Sequence, residues 1–274
     1  MTQTTGGRFT IDGKEYTLAT NDGPNSLHGG PTGFHKRVFD AQQTDSSTLK
    51  LHYLCKDGEE GFPGNLDVNV TYRLTDDNEL VIEYEATTDK ATPVNLSNHA
   101  FYNLCGPKGT SILGHVMQID ANGITPVDRY LIPTGEIMDV DGTAFDFREP
   151  HTIGERIEDN HPQLAIGKGY DHNWVLNSKA DGQMHKACTV TEPESGRVME
   201  IYTDQRGLQF YSGNFFDGSY DGKVSGRAIA HRGAIALETQ SWPDAINHPD
   251  FPDTVLSPGE TYTQHSVYKF SVSR

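Results

Sequence analysis

Two neighbouring runs in which apolar and polar residues alternate constrain this chain more than any other feature. Over 67–74, Val68, Val70, Tyr72 and Leu74 interleave with Asp67, Asn69, Thr71 and Arg73. After the polar break Thr75-Asp76-Asp77-Asn78, Leu80, Ile82, Tyr84 and Ala86 interleave with Val81, Glu83, Glu85 and Thr87. A period of two sends successive side chains to opposite faces of a strand, whereas a helix needs a period near 3.6. The two runs are therefore expected to pair as a β-hairpin.

Asp-Gly pairs recur at Asp12-Gly13, Asp22-Gly23, Asp57-Gly58, Asp141-Gly142, Asp181-Gly182, Asp217-Gly218 and Asp221-Gly222. Both residue types tolerate the left-handed backbone of tight turns, so frequent pairs imply short strands joined by hairpins. Further strands are expected at 198–203, 207–212, 233–239 and 262–272, and only 151–159 reads as briefly helical. The fold class is all-β, a large antiparallel β-sandwich. No repeat, low-complexity tract or Pro-rich linker divides the chain, so residues 1–274 are read as a single domain.

Hydrophobic residues make up 35% and charged residues 22%, enough apolar side chain for a core without a disordered composition. The formal charge of −16 repels phosphate backbones and anionic membrane surfaces, which argues against nucleic-acid or membrane partners and favours a neutral ligand over a sugar phosphate. The start of the chain lacks the basic and apolar runs of a signal peptide, and no stretch is long enough to span a bilayer, so a cytoplasmic location is expected. Cys55, Cys105 and Cys188 are odd in number and carry no C-x-x-C spacing; they are read as buried thiols. In that compartment the sequons at Asn69 and Asn95 stay unmodified.

Four polar segments stand out: Asn25-Ser26-Leu27-His28-Gly29-Gly30, Asn95-Leu96-Ser97-Asn98-His99, Gly169-Tyr170-Asp171-His172-Asn173-Trp174, and Leu237-Glu238-Thr239-Gln240. Each sets an ionisable residue beside apolar neighbours, and each taken alone is more often structural than catalytic. His172 follows Asp171 and must point to the opposite face of a strand, so it is expected to be structural. His231 precedes the Glu238 segment and is held as a weaker candidate for a supporting group. Among twelve histidines there is no H-E-x-x-H or Cys/His cluster with ligand spacing, so no metal is expected.

Together and in this order, these segments resemble the signature blocks of the aldose 1-epimerase (galactose mutarotase) family. The likeness extends through Gly7-Arg8-Phe9-Thr10-Ile11-Asp12-Gly13-Lys14, Thr92-Pro93-Val94-Asn95-Leu96, Leu131-Ile132-Pro133-Thr134-Gly135-Glu136 and Gly142-Thr143-Ala144-Phe145-Asp146. It continues through Gly207-Leu208-Gln209-Phe210-Tyr211, Gly213-Asn214-Phe215, Glu238-Thr239-Gln240, Pro243-Asp244-Ala245 and Ser257-Pro258-Gly259-Glu260-Thr261. The resemblance implies the galactose mutarotase-like supersandwich and a reversible interconversion of α and β anomers of a free aldohexose such as galactose or glucose. It implies no metal and no organic cofactor.

By position, Glu238 resembles the family base, which takes the proton of the C1 hydroxyl, and His99 the family acid, which faces the ring oxygen; the two are expected at opposite edges of one pyranose. An ordinary Glu titrates near 4.3 and is a poor base, so burial must raise it toward neutrality, whereas a His starts near its working pH. His28 resembles a supporting histidine that hydrogen-bonds the sugar near the ring oxygen or C1. Asp171 and Gln209 resemble ligands of sugar hydroxyls, a task suited to planar acceptors. Trp242 either offers an aromatic face to the sugar or packs in the core.

Family members usually carry further strands before the block that opens this chain, with an Asn-Arg pair just upstream of the two glycines. Here Thr2 and Gln3 fall at those positions, and Gln3 lacks the charge and five-donor fork of Arg; Arg8 matches a different family position. Sheet edges exposed by the shorter start make a homodimer more plausible than a monomer. Two alternatives therefore stand beside the epimerase: a sugar-binding or regulatory protein with little turnover, and a hexose 6-phosphate epimerase, for which no cationic cluster is evident.

Overall fold

The computed structural model describes residues 3–106, 109–178, 182–222 and 227–273. Strand accounts for 43% of the chain and helix for 9%, in agreement with the all-β expectation. The chain divides into two compact units, each discontinuous in sequence. The first runs to Ser97 and resumes over Gln240–Val267; the second takes Asn98–Thr239 and the residues from Tyr268 onward.

In the first unit, Asp40–Gln43, Thr48–Cys55, Leu66–Leu74 and Glu79–Thr88 form an antiparallel meander. Its last two strands are the hairpin expected from the alternation, in the register Val68↔Ala86 and Leu74↔Leu80. Val68, Val70, Ile82, Tyr84 and Ala86 are buried, so the apolar phase of each run is the one that packs. A second hairpin, Arg8–Ile11 with Lys14–Thr17, turns on Asp12 and Gly13 alone. Their φ values of 51° and 75° are both left-handed, as a two-residue turn matching the twist of the strands requires. Phe9 from this hairpin stacks on Tyr16 at 5.4 Å and on Phe62 at 6.2 Å, closing a small core with Ile11 and Leu18.

The start of this unit is tied to a segment more than two hundred residues away. The buried Asp244 carboxylate accepts from Thr5 N at 3.2 Å, Thr5 Oγ1 at 2.6 Å and Asn247 Nδ2 at 2.7 Å. Arg8, a few residues on, pairs with Glu15 at 3.5 Å on the surface. Thr2 and the side chain of Gln3 lie outside the described residues. The Asn95 amide is buried and spends both ends on Ser241, with Oδ1 accepting from N and Nδ2 donating to O at 3.0 Å each.

The second unit holds a six-stranded antiparallel sheet in the order Phe101–Tyr102, Ile235–Gln240, Gly207–Tyr211, Asp171–Leu176, Ala121–Thr125, Met138–Asp139. A further antiparallel run joins His151–Thr152, Val116–Ile119, His185–Glu192 and Arg197–Thr203. One face of the six-stranded sheet carries His172, Trp174, Leu208 and Phe210, all fully buried. Trp174 lies 5.6 Å from Phe210, Tyr170 stacks on Phe210 at 5.2 Å, and Phe145 and Phe147 complete the cluster. The polar ends are satisfied: Trp174 Nε1 donates to Phe145 O at 3.1 Å and Tyr170 Oη to Ala144 O at 3.0 Å.

Three details differ from the sequence expectation. The helix within 151–159 is only Ile153–Arg156, because His151 and Thr152 pair as strand with Met117 and Val116. A second short helix, Pro162–Gly167, was not expected; Pro162 occupies its first turn, where no N–H is needed, and the His161 ring accepts from Gln163 N at 3.2 Å as its cap. Cys55 and Cys188 are buried thiols as expected, but Cys105 is only partly buried.

Candidate active site

Glu238 lies in the strand Ile235–Gln240, all six residues of which are buried. Such a strand reads as a near-continuous core segment, and a carboxyl inside it is an exception that demands a reason. Burial is the main force on its titration, with the charge of Asp171 acting in the same direction, and together they push it up to about 8. The cross-strand register Phe101↔Ala236 and Tyr102↔Ile235, carried two residues further, sets His99 opposite Glu238. The contact follows: His99 Nε2 stands 3.4 Å from Glu238 Oε1, the imidazole 29% exposed and the carboxyl 5%. The imidazole and the carboxyl therefore sit side by side.

Asp171 opens the strand Asp171–Leu176, separated from the Glu238 strand by Gly207–Tyr211, and opposes Tyr211; its diagonal neighbour Gln209 donates from Nε2 to Asp171 Oδ1 at 2.8 Å. The residue keeps part of its surface open, yet protein crowds its carboxyl. Burial pushes that group up to about 7, against the lowering effect of the Gln209 hydrogen bond. Gln209 and Glu238 share one face of the sheet. Phe101, on the face of Ala236 and Glu238, meets the ring of Tyr211 at 6.4 Å, and Tyr211 is two residues from Gln209 on the same side of its strand. An aromatic margin follows His99: Phe101 lies 4.9 Å from its ring, with Phe216 5.0 Å beyond. These aromatics were missed in the sequence because their blocks drew attention only to ionisable residues.

The opposite face takes His172, the residue expected to be structural. His172 is fully buried; its Nε2 pairs with Gln163 Oε1 at 3.0 Å, and burial, with His161 adding, pushes it down to about 3, so it is neutral. His231 Nδ1 lies 3.1 Å from Asn214 O, a backbone contact. Among the described residues no three His, Cys, Asp or Glu side chains are grouped to hold a metal ion.

His28 belongs to the first unit and is described there. It lies at φ 55°, followed by Gly29 at 80° and Gly30 at 91°, three consecutive left-handed residues. That conformation is strained for a non-glycine residue and recurs at binding loops. Space is short at two glycines of this loop: a Cβ on Gly30 would strike the Glu60 side chain, and the nearby Gly33 admits none against the His28 carbonyl. Trp242, in the same unit, is 9% exposed and packs edge-on against Phe251 at 4.9 Å, the core reading of the two expected.

A buried acid–base pair with a second raised carboxyl and an amide beside it is an arrangement for moving protons on a neutral, hydroxyl-rich molecule. Residues 4–269 match the aldose 1-epimerase family. The chain belongs to that family. It is 47% identical over 267 residues to the galactose mutarotase of Bos taurus, spanning 97% of this chain and 75% of the relative. It is 40% identical to the aldose 1-epimerase of Escherichia coli K12, over 96% of this chain and 75% of that protein. A solved aldose epimerase homologue from C. elegans superposes with a TM-score of 0.90 at 31% identity, covering 100% of this chain and 80% of that one. The fold is therefore galactose mutarotase-like, as the resemblance implied.

Proposed function

We propose that this aldose 1-epimerase interconverts the α and β anomers of free aldohexoses, galactose and glucose among them, with Glu238 as base and His99 as acid. The observation that carries the reading is the 3.4 Å pairing of His99 Nε2 with the buried Glu238 carboxyl. The C1 hydroxyl and the ring oxygen of a pyranose are bonded to the same carbon, so a base for one and an acid for the other must be near neighbours. Glu238 takes the proton of the C1 hydroxyl, a C1 carbonyl forms, and the bond from C1 to the ring oxygen breaks as His99 delivers a proton to that oxygen. The aldehyde turns about C1–C2 and closes from its other face with the roles reversed. A carboxyl raised toward the working pH is a competent base and, once protonated, a competent acid for the return step.

Asp171, Gln209 and His28 bind the sugar in this reading, the first two through the hydroxyls their shared hydrogen bond flanks. No helix is long and apolar enough to cross a membrane among the described residues; three free thiols fit a reducing, cytoplasmic setting. The proposed partner is a neutral sugar, with the protein a monomer or homodimer.

Polarimetry on freshly dissolved α-D-galactose tests the assignment. Glu238→Gln and His99→Ala are each expected to slow the enzymatic relaxation by roughly 10²- to 10⁴-fold. A variant that relaxes the rotation as fast as the parent at equal concentration removes its residue from the mechanism.

A further inference from the structure

Beside Gln209 the same sheet face carries two polar side chains that nothing in the mechanism above uses. Asn173 opposes Gln209 on one neighbouring strand and Thr125 on the other, so Thr125, Asn173 and Gln209 form one cross-strand row. Directly opposed residues point to the same side, with their Cβ atoms about 5 Å apart. Asn173 also stands two residues from Asp171, which places it on the face of that carboxyl. Asn173 is 1% exposed and Thr125 is fully buried, yet Asn173 Nδ2, Asn173 Oδ1 and Thr125 Oγ1 have no hydrogen-bond partner.

Buried amides and hydroxyls without partners cost stability, and apolar residues of the same shape would avoid that cost. Natural chains depart from this rule mainly at functional sites. The chemistry of the row fits such a use. An amide has a donor end and an acceptor end, and Gln209 commits its donor end to Asp171. Asn173 can donate from Nδ2 to Gln209 Oε1 and accept at Oδ1 from the Thr125 hydroxyl, which would prevent the Gln209 amide from turning end for end when a sugar hydroxyl competes for Asp171.

We propose that Asn173, seated beside Thr125, is a positioning residue for sugar binding that acts through Gln209. This rests on the reading that Gln209 binds the sugar. The ligand class is a neutral polyhydroxyl sugar, and the readout is affinity rather than chemistry, because neither side chain neighbours the acid–base pair.

The test compares Asn173→Leu and Thr125→Val with the parent, by thermal melts and by polarimetry across a range of galactose concentrations. Both variants are expected to melt at or above the parent temperature, while N173L raises KM at least fivefold with kcat within twofold and T125V raises it less. Unchanged KM in both variants overturns the proposal, as does a loss confined to kcat. If N173L fails to fold, T125V carries the same comparison, differing from the parent by a methyl in place of a hydroxyl. If the parent lacks turnover, the epimerase reading fails by itself and calorimetric titration with galactose decides here: equal affinity of parent and N173L overturns the proposal, and a parent that binds no galactose overturns both.

Discussion

His99 Nε2 and Glu238 Oε1 approach to 3.4 Å, the imidazole partly exposed and the carboxyl buried. A pair this close acts as one unit. Removing one member strands the other, so the double variant E238Q/H99A is expected to be no more than about tenfold slower than the worse single variant, far from the product of the two losses. Stopped polarimetric progress curves of all four proteins measure this. A double variant slowed by the full product would mean two independently acting groups.

The rate should depend on pH through the buried base. Glu238 titrates at about 8, raised by burial and by Asp171, so most of it is protonated at neutrality. The base form of Glu238 grows as pH rises while the acid form of His99 is lost, so kcat/KM for galactose is expected to follow a bell-shaped profile, with Glu238 limiting its acid side. Kinetics in a buffer series at constant ionic strength check it; a profile flat from pH 6 to 9 contradicts the assignment.

Stability should move the other way. Glu238 and Asp171 have folded-state values of about 8 and about 7, above the ordinary 4.5 and 3.8 of the free side chains. A raised carboxyl means that the folded state binds more protons, so the stabilising contribution is full below about pH 4 and is lost as pH climbs toward the folded values. Glu238→Gln and Asp171→Asn, which cannot ionise, are expected to gain on the parent as pH increases, by roughly 3–8 °C in melting temperature at pH 8.5 and little at pH 5. Melting curves at the two pH values measure the difference.

Asp244 holds Thr5 and Asn247 through three hydrogen bonds to a buried carboxyl. Asp244→Ala removes the carboxyl that accepts from Thr5, while Asn247 Nδ2 keeps its bond to Arg8 O at 3.1 Å, and is expected to cost about 2–3 kcal/mol in urea unfolding, with Thr5→Ala costing less. Equal stability of D244A and parent would show that solvent replaces the carboxyl without loss.

Much of the fold could be read from local pattern. The alternation around Val68 and Tyr84 marked a hairpin, and Asp12-Gly13 marked a turn that only left-handed residues make. The helix Pro162–Gly167 escaped because it is under two turns long and is set by a proline and a histidine cap rather than by apolar periodicity. The candidate site residues could be named as types through their family blocks, but not their spacing: whether position 99 lies beside position 238 is decided by the packing of segments far apart in sequence. Asn173 was within reach of the sequence, since it lies two residues from Asp171 and must share its face. Thr125 was not, because only the register of a third strand brings it there.

Every strand-to-strand step across the candidate site joins distant stretches of chain; positions 99 and 238 are separated by 139 intervening steps. Loops that long are slow to close, and nothing local rewards their closure before the sheet exists. Recovery of catalysis after dilution from urea should therefore trail the return of strand signal in circular dichroism, with the reactive pair among the last features to assemble.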